Sequence, residues 1–215
     1  MKTIKHLISE QGYSFWEGQV LDSPIIAFDT ETNIVDLKRE IPTLVLKTVS
    51  TYDNNYVIPH TRVFEFVAKH QEVEAWVGHN VAFDYWVVLK HLKKVQDSDR
   101  YRTNCVGIWK ELYAAGQFKD TMHLDFLVRL ATAKSRQHFR GRNLGEVAKD
   151  WASVEVDKED PYRMRFAELL EVPVEQWETG VERGFFEYAC GDTAVVLPIY
   201  FNLEATGNAV LAPGS

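Results

Sequence analysis

Apolar and polar positions along the chain switch repeatedly between a period of two and a helical period. Ile25 to Phe28 is an apolar run that stops at acidic residues, which predicts a strand. Thr43 to Thr51 is rich in β-branched residues and predicts a second. Tyr56-Val57-Ile58, closed by Pro59, predicts a third. Turn residues Asp53-Asn54-Asn55 lie between them, so these two strands should form a hairpin. Helical spacing follows at 61–71, where Val63, Phe64, Phe66 and Val67 are apolar. Ala75 to Gly78 predicts a short buried strand, and Asn80 stands where a helix to about Leu92 needs its N-cap. Polar residues 96–102 break the pattern before a helix over 105–115. Phe118 to Thr121 predicts another short strand. Helices are expected over 3–9, 122–132, 143–151 and 161–170. A last helix should run from about Val181 to Asn202, with Pro198 kinking or ending it because proline lacks the N–H and clashes with the preceding turn. Strands first, then strand–helix alternation, predict an α/β fold: a mixed central sheet with antiparallel first strands and helices on both faces.

Composition narrows the class. The 215 residues suit a single domain, 1–215, large enough to bury a core. Apolar residues make up 46% and charged residues 26%, which is globular rather than disordered. No apolar segment follows the charged start Met1 to His6, so no signal peptide is read. The longest apolar stretch, Ala194 to Phe201, is too short to span a bilayer and contains Pro198. A soluble cytoplasmic protein with no membrane partner is expected. Cys105 and Cys190 form no C-x-x-C pair and read as reduced core thiols. The net charge of −7 argues against blanket electrostatic binding of duplex nucleic acid. Nucleic acid would have to be bound locally, or through metal ions that offset acidic ligands.

The acids are where that tension resolves. Asp29 and Glu31 follow the first strand two residues apart, so both point to one side. Paired carboxylates repel, and a strand end tolerates them best around a cation. Asp84 lies four residues after Asn80, on one helix face, among Val81, Phe83, Trp86 and Val87. That places it at a partly buried edge. Tyr188 and Asp192 are again four apart, on an apolar helix with Phe185, Phe186, Val195 and Val196. Gly191 beside them costs about 1 kcal/mol against alanine in a helix, which suggests close approach of another element or a ligand. Taken singly, each motif is weak: lone acids on amphipathic helices are usually solvated or capping. The set, in this order and in these local structures, is what carries weight.

Phe28-Asp29-Thr30-Glu31-Thr32, Asn80-x-x-Phe83-Asp84 and Tyr188-x-x-x-Asp192 resemble the three motifs of the DEDD (DnaQ-like) 3′–5′ exonuclease superfamily. The Y-x-x-x-D third motif marks the DEDDy branch; the histidine branch would need His at 187, where this chain has Glu187. Phe118 to Met122 and Arg142 to Ala148 look like the strand and helix between motifs in the proofreading domains of family A DNA polymerases. The likeness spans about residues 20–205. It implies an RNase H-like fold and two divalent cations, Mg²⁺ or Mn²⁺. It further implies that Asp29, Glu31 and Asp192 ligate one ion, that Asp29 bridges to the second, and that Asp84 reaches the second directly or through water. Tyr188 would hydrogen-bond the attacking water. Thr30 and Asn80 match positions at the terminal nucleotide, Val35 an apolar wedge against the terminal bases, and Phe83 an aromatic beside the same strand. The long segments 97–118 and 152–180, the second holding Trp177, depart from the pattern.

The chemistry suits the residues independently. Two cations roughly 3.5–4 Å apart can stabilise the attacking and leaving oxygens of an in-line displacement, and hard oxygen ligands favour Mg²⁺ or Mn²⁺ over zinc. Without metal, the clustered acids should have raised pKa values. Tyr188, with a reference pKa of about 10, suits orientation of water rather than base catalysis. Lys134, Arg136, His138, Arg140 and Arg142 form the densest basic run, which reads equally as a phosphate grip or a solvated loop. His79 reads first as a satisfied edge histidine, and the tryptophans mostly as core, with one available for base stacking at best. The expected function is removal of nucleoside 5′-monophosphates from the 3′ end of single-stranded DNA, of proofreading type, either by a free-standing enzyme or beside a DNA polymerase on a separate chain or domain. The alternatives are a ribonuclease D-like RNA exonuclease, distinguished by contacts to the 2′-OH, and a catalytically silent nucleic-acid-binding module.

Overall fold

A computed structural model of the chain describes residues 2–33, 40–98, 104–132, 141–156 and 160–212. In chain order the elements are β1 (Lys2–Thr3), α1 (Ile4–Gln11), β2 (Ser14–Phe15), β3 (Ile25–Thr32), β4 (Leu44–Ser50), β5 (Asn55–Pro59), α2 (Val63–Lys69), β6 (Ala75–Gly78), α3 (Val81–Ser98) and α4 (Cys105–Ala114). They continue with β7 (Phe118–Asp120), α5 (Thr121–Ala131), α6 (Leu144–Ala152), β8 (Val154–Glu155), α7 (Trp177–Gly180) and α8 (Arg183–Leu211).

Six strands form one mixed sheet in the order β2-β5-β4-β3-β6-β7. β3, β4 and β5 are antiparallel neighbours. β6 and β7 add in parallel beyond β3, and β2 runs parallel to β5 at the other edge. The predicted α/β architecture with antiparallel first strands is therefore present. Between β4 and β5 the backbone N–H of Thr51 donates to Asn54, closing the predicted hairpin.

Alternation along β3 builds two cores. Ile26 and Phe28 pack with Val49, Ile58, Trp76 and Trp109 under α2, α3 and α4. On the opposite side, Ala27, Ala75 and Val77 meet Val196, Leu197 and Tyr200 of α8, while Leu46 and Val57 meet Phe185, Phe186, Ala189 and Cys190. α8 is thus the central helix of that layer. By length and composition it is apolar enough to cross a membrane, but here its apolar residues cover the sheet. Gly191 is explained by α1: a Cβ there would collide with Cγ2 of Ile4. Cys105 and Cys190 are both buried thiols rather than disulfide partners.

Several expectations change. α8 does not end at Pro198 or near Asn202 but continues to Leu211. The lost hydrogen bond and ring clash are outweighed by the buried residues that clamp the helix on both sides, Val195, Val196, Leu197, Ile199, Tyr200 and Leu203. Residues 161–170 do not form an α-helix: turns lead into a 3-10 segment at Phe166–Glu171. Its two buried residues, Phe166 and Leu169, are three apart and match that tighter repeat. β1 and β8 pair in parallel as a separate two-stranded sheet, too short to leave a periodic signal. Asn80 precedes α3 as expected, but in a left-handed conformation with φ of 65°. The Asp120 carboxylate does the capping from the neighbouring strand β7, accepting the backbone N–H of Asn80 and Val81 at 3.0 Å each and of Met122 at 2.9 Å. One acid therefore caps both α3 and α5.

Candidate active site

Asp29 and Glu31 project from β3 toward α8, where Asp192 sits one turn after Tyr188. One carboxylate oxygen from each of Asp29, Glu31 and Asp192 falls within 4.8 Å of the others. α8 is tied to the sheet at this level, because Thr48, directly across from Asp29, donates its hydroxyl to the Ala189 carbonyl at 3.3 Å. At Glu31 the ladder changes register: Glu31 pairs with Leu46 and Thr32 with Leu44. The bulge at Val45 bends the strand where its acids emerge. Thr30, Thr32, Asn33, Phe83, Arg163, Met164 and Tyr188 complete a hollow of about 290 Å³ around the three acids.

Asp84 enters from α3. Its Oδ1 accepts the Thr30 backbone N–H at 3.1 Å and the Thr30 hydroxyl at 2.6 Å. At 2% exposure it is fully buried, rather than at the partly buried edge its helix position suggested. It lies outside the trio of converging oxygens, yet its charge raises the pKa of Glu31 and is itself raised by Asp29.

The electrostatics follow from crowding and partial burial. Burial pushes Asp29 up to about 7. Burial, then the Asp29 charge, pushes Asp192 up to about 8. Glu31 is raised well above the carboxylate range by burial and then by Asp29, Asp192 and Asp84. Asp84 is raised by burial and Asp29, against the pull of its Thr30 hydrogen bonds. Four acids in this state need counter-charge to ionise. The three converging carboxylate oxygens suit a hard divalent cation. The Tyr188 hydroxyl is raised far above its usual value by burial, Asp192 and Glu31, so it stays protonated.

The residues expected at the substrate separate in the fold. Thr30 and Phe83 line the hollow, although the Thr30 hydroxyl is engaged by Asp84. Asn80 is exposed and stands outside the lining. Val35 lies outside the described residues, as do Lys134, Arg136, His138 and Arg140 of the basic run. Arg142, the described member of that run, is a structural residue: it donates to buried Asp125 at 3.0 and 2.5 Å and also pairs with Asp150. His79 is satisfied at both ring nitrogens, by the Thr121 hydroxyl and the Arg142 carbonyl. Trp177 is core, stacked on Phe186.

Two cations escaped the sequence reading. Arg163, on the turn after β8, lines the hollow and lowers the pKa values of Glu31, Asp192 and Tyr188. Its only trace was its place in the long segment before α8. Lys47 is directly across from Thr30 on β4 and fully buried. Its Nζ lies 4.2 to 4.6 Å from the ring centres of Phe28, Trp76 and Trp109, with no hydrogen-bond partner. A lysine in an otherwise apolar strand was the available signal.

A mixed sheet with antiparallel first strands, helices on both faces and acids at the end of its central strand is the RNase H-like fold. The family follows from comparison: a family model described as 3′–5′ exonuclease matches residues 9–207, so the chain belongs to that family of phosphodiester hydrolases. Solved structures share the fold at low identity. The exonuclease domain of Aedes aegypti Nibbler is 14% identical with a TM-score of 0.57, over 89% of this chain and 83% of that one. Escherichia coli RNase D, described as an exoribonuclease involved in structured RNA processing, is 16% identical with a TM-score of 0.56, over 97% of this chain but only 44% of that one. Brucella melitensis NrnC with bound Mg²⁺ is 15% identical with a TM-score of 0.51, over 92% and 80%. No curated protein matches the chain in sequence.

Proposed function

We propose that this 3′–5′ exonuclease works at the hollow between β3 and α8 and removes nucleoside 5′-monophosphates from the 3′ end of single-stranded DNA. The observation that carries the site is the convergence of Asp29, Glu31 and Asp192 within 4.8 Å. These three would hold one divalent cation, Mg²⁺ or Mn²⁺. Asp29 and Asp84 would hold a second, with the Asp84 Oδ1 already bonded to Thr30. When bound, such a pair supplies charge stabilisation to the attacking and leaving oxygens. Tyr188, protonated and half-buried at the wall, orients the attacking water. Arg163 brings positive charge to the hollow and would meet the scissile phosphate. Phe83 lies beside the terminal nucleotide; Asn80 and Val35, assigned on motif likeness, flank it. DNA as the polymer and a DNA polymerase as the partner rest on the motif likeness to family A proofreading domains. RNA is the second reading, favoured by the fold shared with RNase D.

The test uses matched 5′-labelled DNA and RNA oligonucleotides with Mg²⁺ or Mn²⁺. A ladder shortening from the 3′ end is expected, faster on DNA. Asp29→Ala should abolish it, and retained activity in that variant overturns the site. Tyr188→Phe should slow turnover while calorimetric Mg²⁺ binding persists. Faster RNA cleavage reverses the polymer assignment alone.

A further inference from the structure

Resting on that reading of the acid hollow, we propose that the exposed stripe Trp86–Lys90–Lys94 of α3, with the hollow beside it, is the track for nucleotides upstream of the 3′ end. Trp86 stacks on a base, and the two lysines meet backbone phosphates. Phe83, Trp86, Lys90 and Lys94 recur at steps of three and four residues, which puts them on one helix face. The stripe starts at the acid hollow, which Phe83 lines. It ends at a second hollow of about 590 Å³, where Lys90, Lys94, His60 and His91 face Thr43 and Leu44. The two hollows share a wall. Asn33, lining the first, and Thr43, lining the second, are bonded reciprocally: the Asn33 N–H to the Thr43 carbonyl at 3.0 Å, and the Thr43 N–H to the Asn33 side chain at 2.7 Å. From Asp84 to Lys94 is ten residues, or ~15 Å along the axis, a span of a few nucleotides.

Charge and exposure point to an anionic, base-bearing occupant. The chain has 31 acids against 24 Lys and Arg, yet among the described residues no acid lines the second hollow. Lys90 and Lys94 repel one another at that spacing. Lys90 is fixed over the hollow by donating to the Ile41 carbonyl, and Lys94 has no ion pair among the described residues. Trp16, Trp76, Trp109 and Trp177 are at most 1% exposed, whereas Trp86 is 52% exposed. An indole in water at the start of a cationic stripe is the arrangement that single-strand binders use: stacking on any base, with cations following the phosphates. Neither contact distinguishes DNA from RNA, so the track should hold both and leave that choice to the acid hollow.

The test is anisotropy of labelled single-stranded DNA and RNA on the full chain with Ca²⁺, alongside Mg²⁺-dependent turnover of a long strand and a dinucleotide. Trp86→Ala should weaken long-strand binding about tenfold, and Trp86→Phe should retain most of it. Lys90→Gln and Lys94→Gln should each lower the slope of log affinity against log salt by about 0.7. In all three loss variants the ratio of long-strand to dinucleotide kcat/KM should fall, with unchanged thermal melting as the folding control. Unchanged long-strand affinity and salt slope would overturn the track, as would an equal loss on the dinucleotide. A wild-type chain that binds the long strand but releases no mononucleotide overturns the exonuclease assignment and leaves the track standing. A chain that neither binds nor cuts overturns both.

Discussion

β3 separates two regions built from alternate residues of one strand, and they handle charge in opposite ways. Toward α8, Asp29 and Glu31 meet Asp192 at an open hollow, where crowded carboxyl groups need counter-charge from solvent to ionise. Toward α3 and α4, Phe28 and Thr30 face Lys47, Trp76 and Trp109, where one positive charge is sealed among rings. Burial alone lowers Lys47 to about 7, with Asp84 and Asp29 pulling the other way. Asp84, held by Thr30, is the member through which the two sides feel each other. An open charged site can be completed by a ligand, whereas a sealed charge must be accommodated by the fold itself.

The largest effect should come from the open side. Asp29→Ala removes the carboxylate proposed to serve both cations and should lower kcat/KM roughly a thousandfold, about 4 kcal/mol of transition-state stabilisation. Melting measured without metal should not fall with it. A parallel loss of folding would place Asp29 with the structural residues and break the contrast.

Next is the sealed side. The unfolded chain keeps the Lys47 proton to about pH 10.5 and the fold only to about 7, so between these values the unfolded state binds more protons and stability rises with pH. Lys47→Met should flatten that rise and stabilise the protein at pH 7 by on the order of 3 kcal/mol. Denaturant titrations across pH 7–10 check it. Destabilisation at every pH would show that the ammonium is well accommodated where it is.

The acids of the open side carry the opposite slope. Asp29 and Asp192 rise from 3.8 to about 7 and about 8 in the fold. The folded state therefore binds more protons between pH 4 and 8, and the stability these groups contribute is present below pH 4 and lost as pH rises through 7 to 8. Metal-free protein should melt lower at pH 8 than at pH 5. Mg²⁺ at a hundred times its Kd should restore about 2.7 kcal/mol at pH 8 and much less at pH 5. A pH-independent Mg²⁺ effect would mean that the ion binds elsewhere.

The smallest change targets the connection between the sides. Thr30→Val removes the hydroxyl that bonds buried Asp84 and should cost about 1–2 kcal/mol, with a several-fold fall in kcat/KM. Thr30→Ser should keep both. Full activity in Thr30→Val would show that Asp84 needs only the Thr30 backbone N–H.

Legibility along the chain tracked how local each feature is. β3 to β6 were readable because burial on both sides writes near-continuous apolar runs, and Asp29, Glu31, Asp84, Tyr188 and Asp192 because strand and helix spacing pairs them. β1 and β8, two residues each, have no period to read. The 3-10 path at 166–171 and the passage of α8 through Pro198 were set by what the buried side chains rest against, not by propensity. Arg142 read equally as a phosphate grip or part of a solvated loop and became the partner of Asp125, seventeen residues away. Arg163, in turn, was unremarked until the turn after β8 brought it to the acids.

What the sequence determined by itself was the set of acids, the strand and helices that carry them, and the family they belong to, because periodicity and motif spacing are local properties. Tertiary structure decided the rest. It chose which side of β3 opens to solvent and put Asp84 in the interior on Thr30. It enclosed Lys47 among three rings and left Trp86 exposed on the same helix face as Lys90 and Lys94. Exposure, desolvation and the meeting of charges depend on elements far apart in the chain, and only packing brings those together.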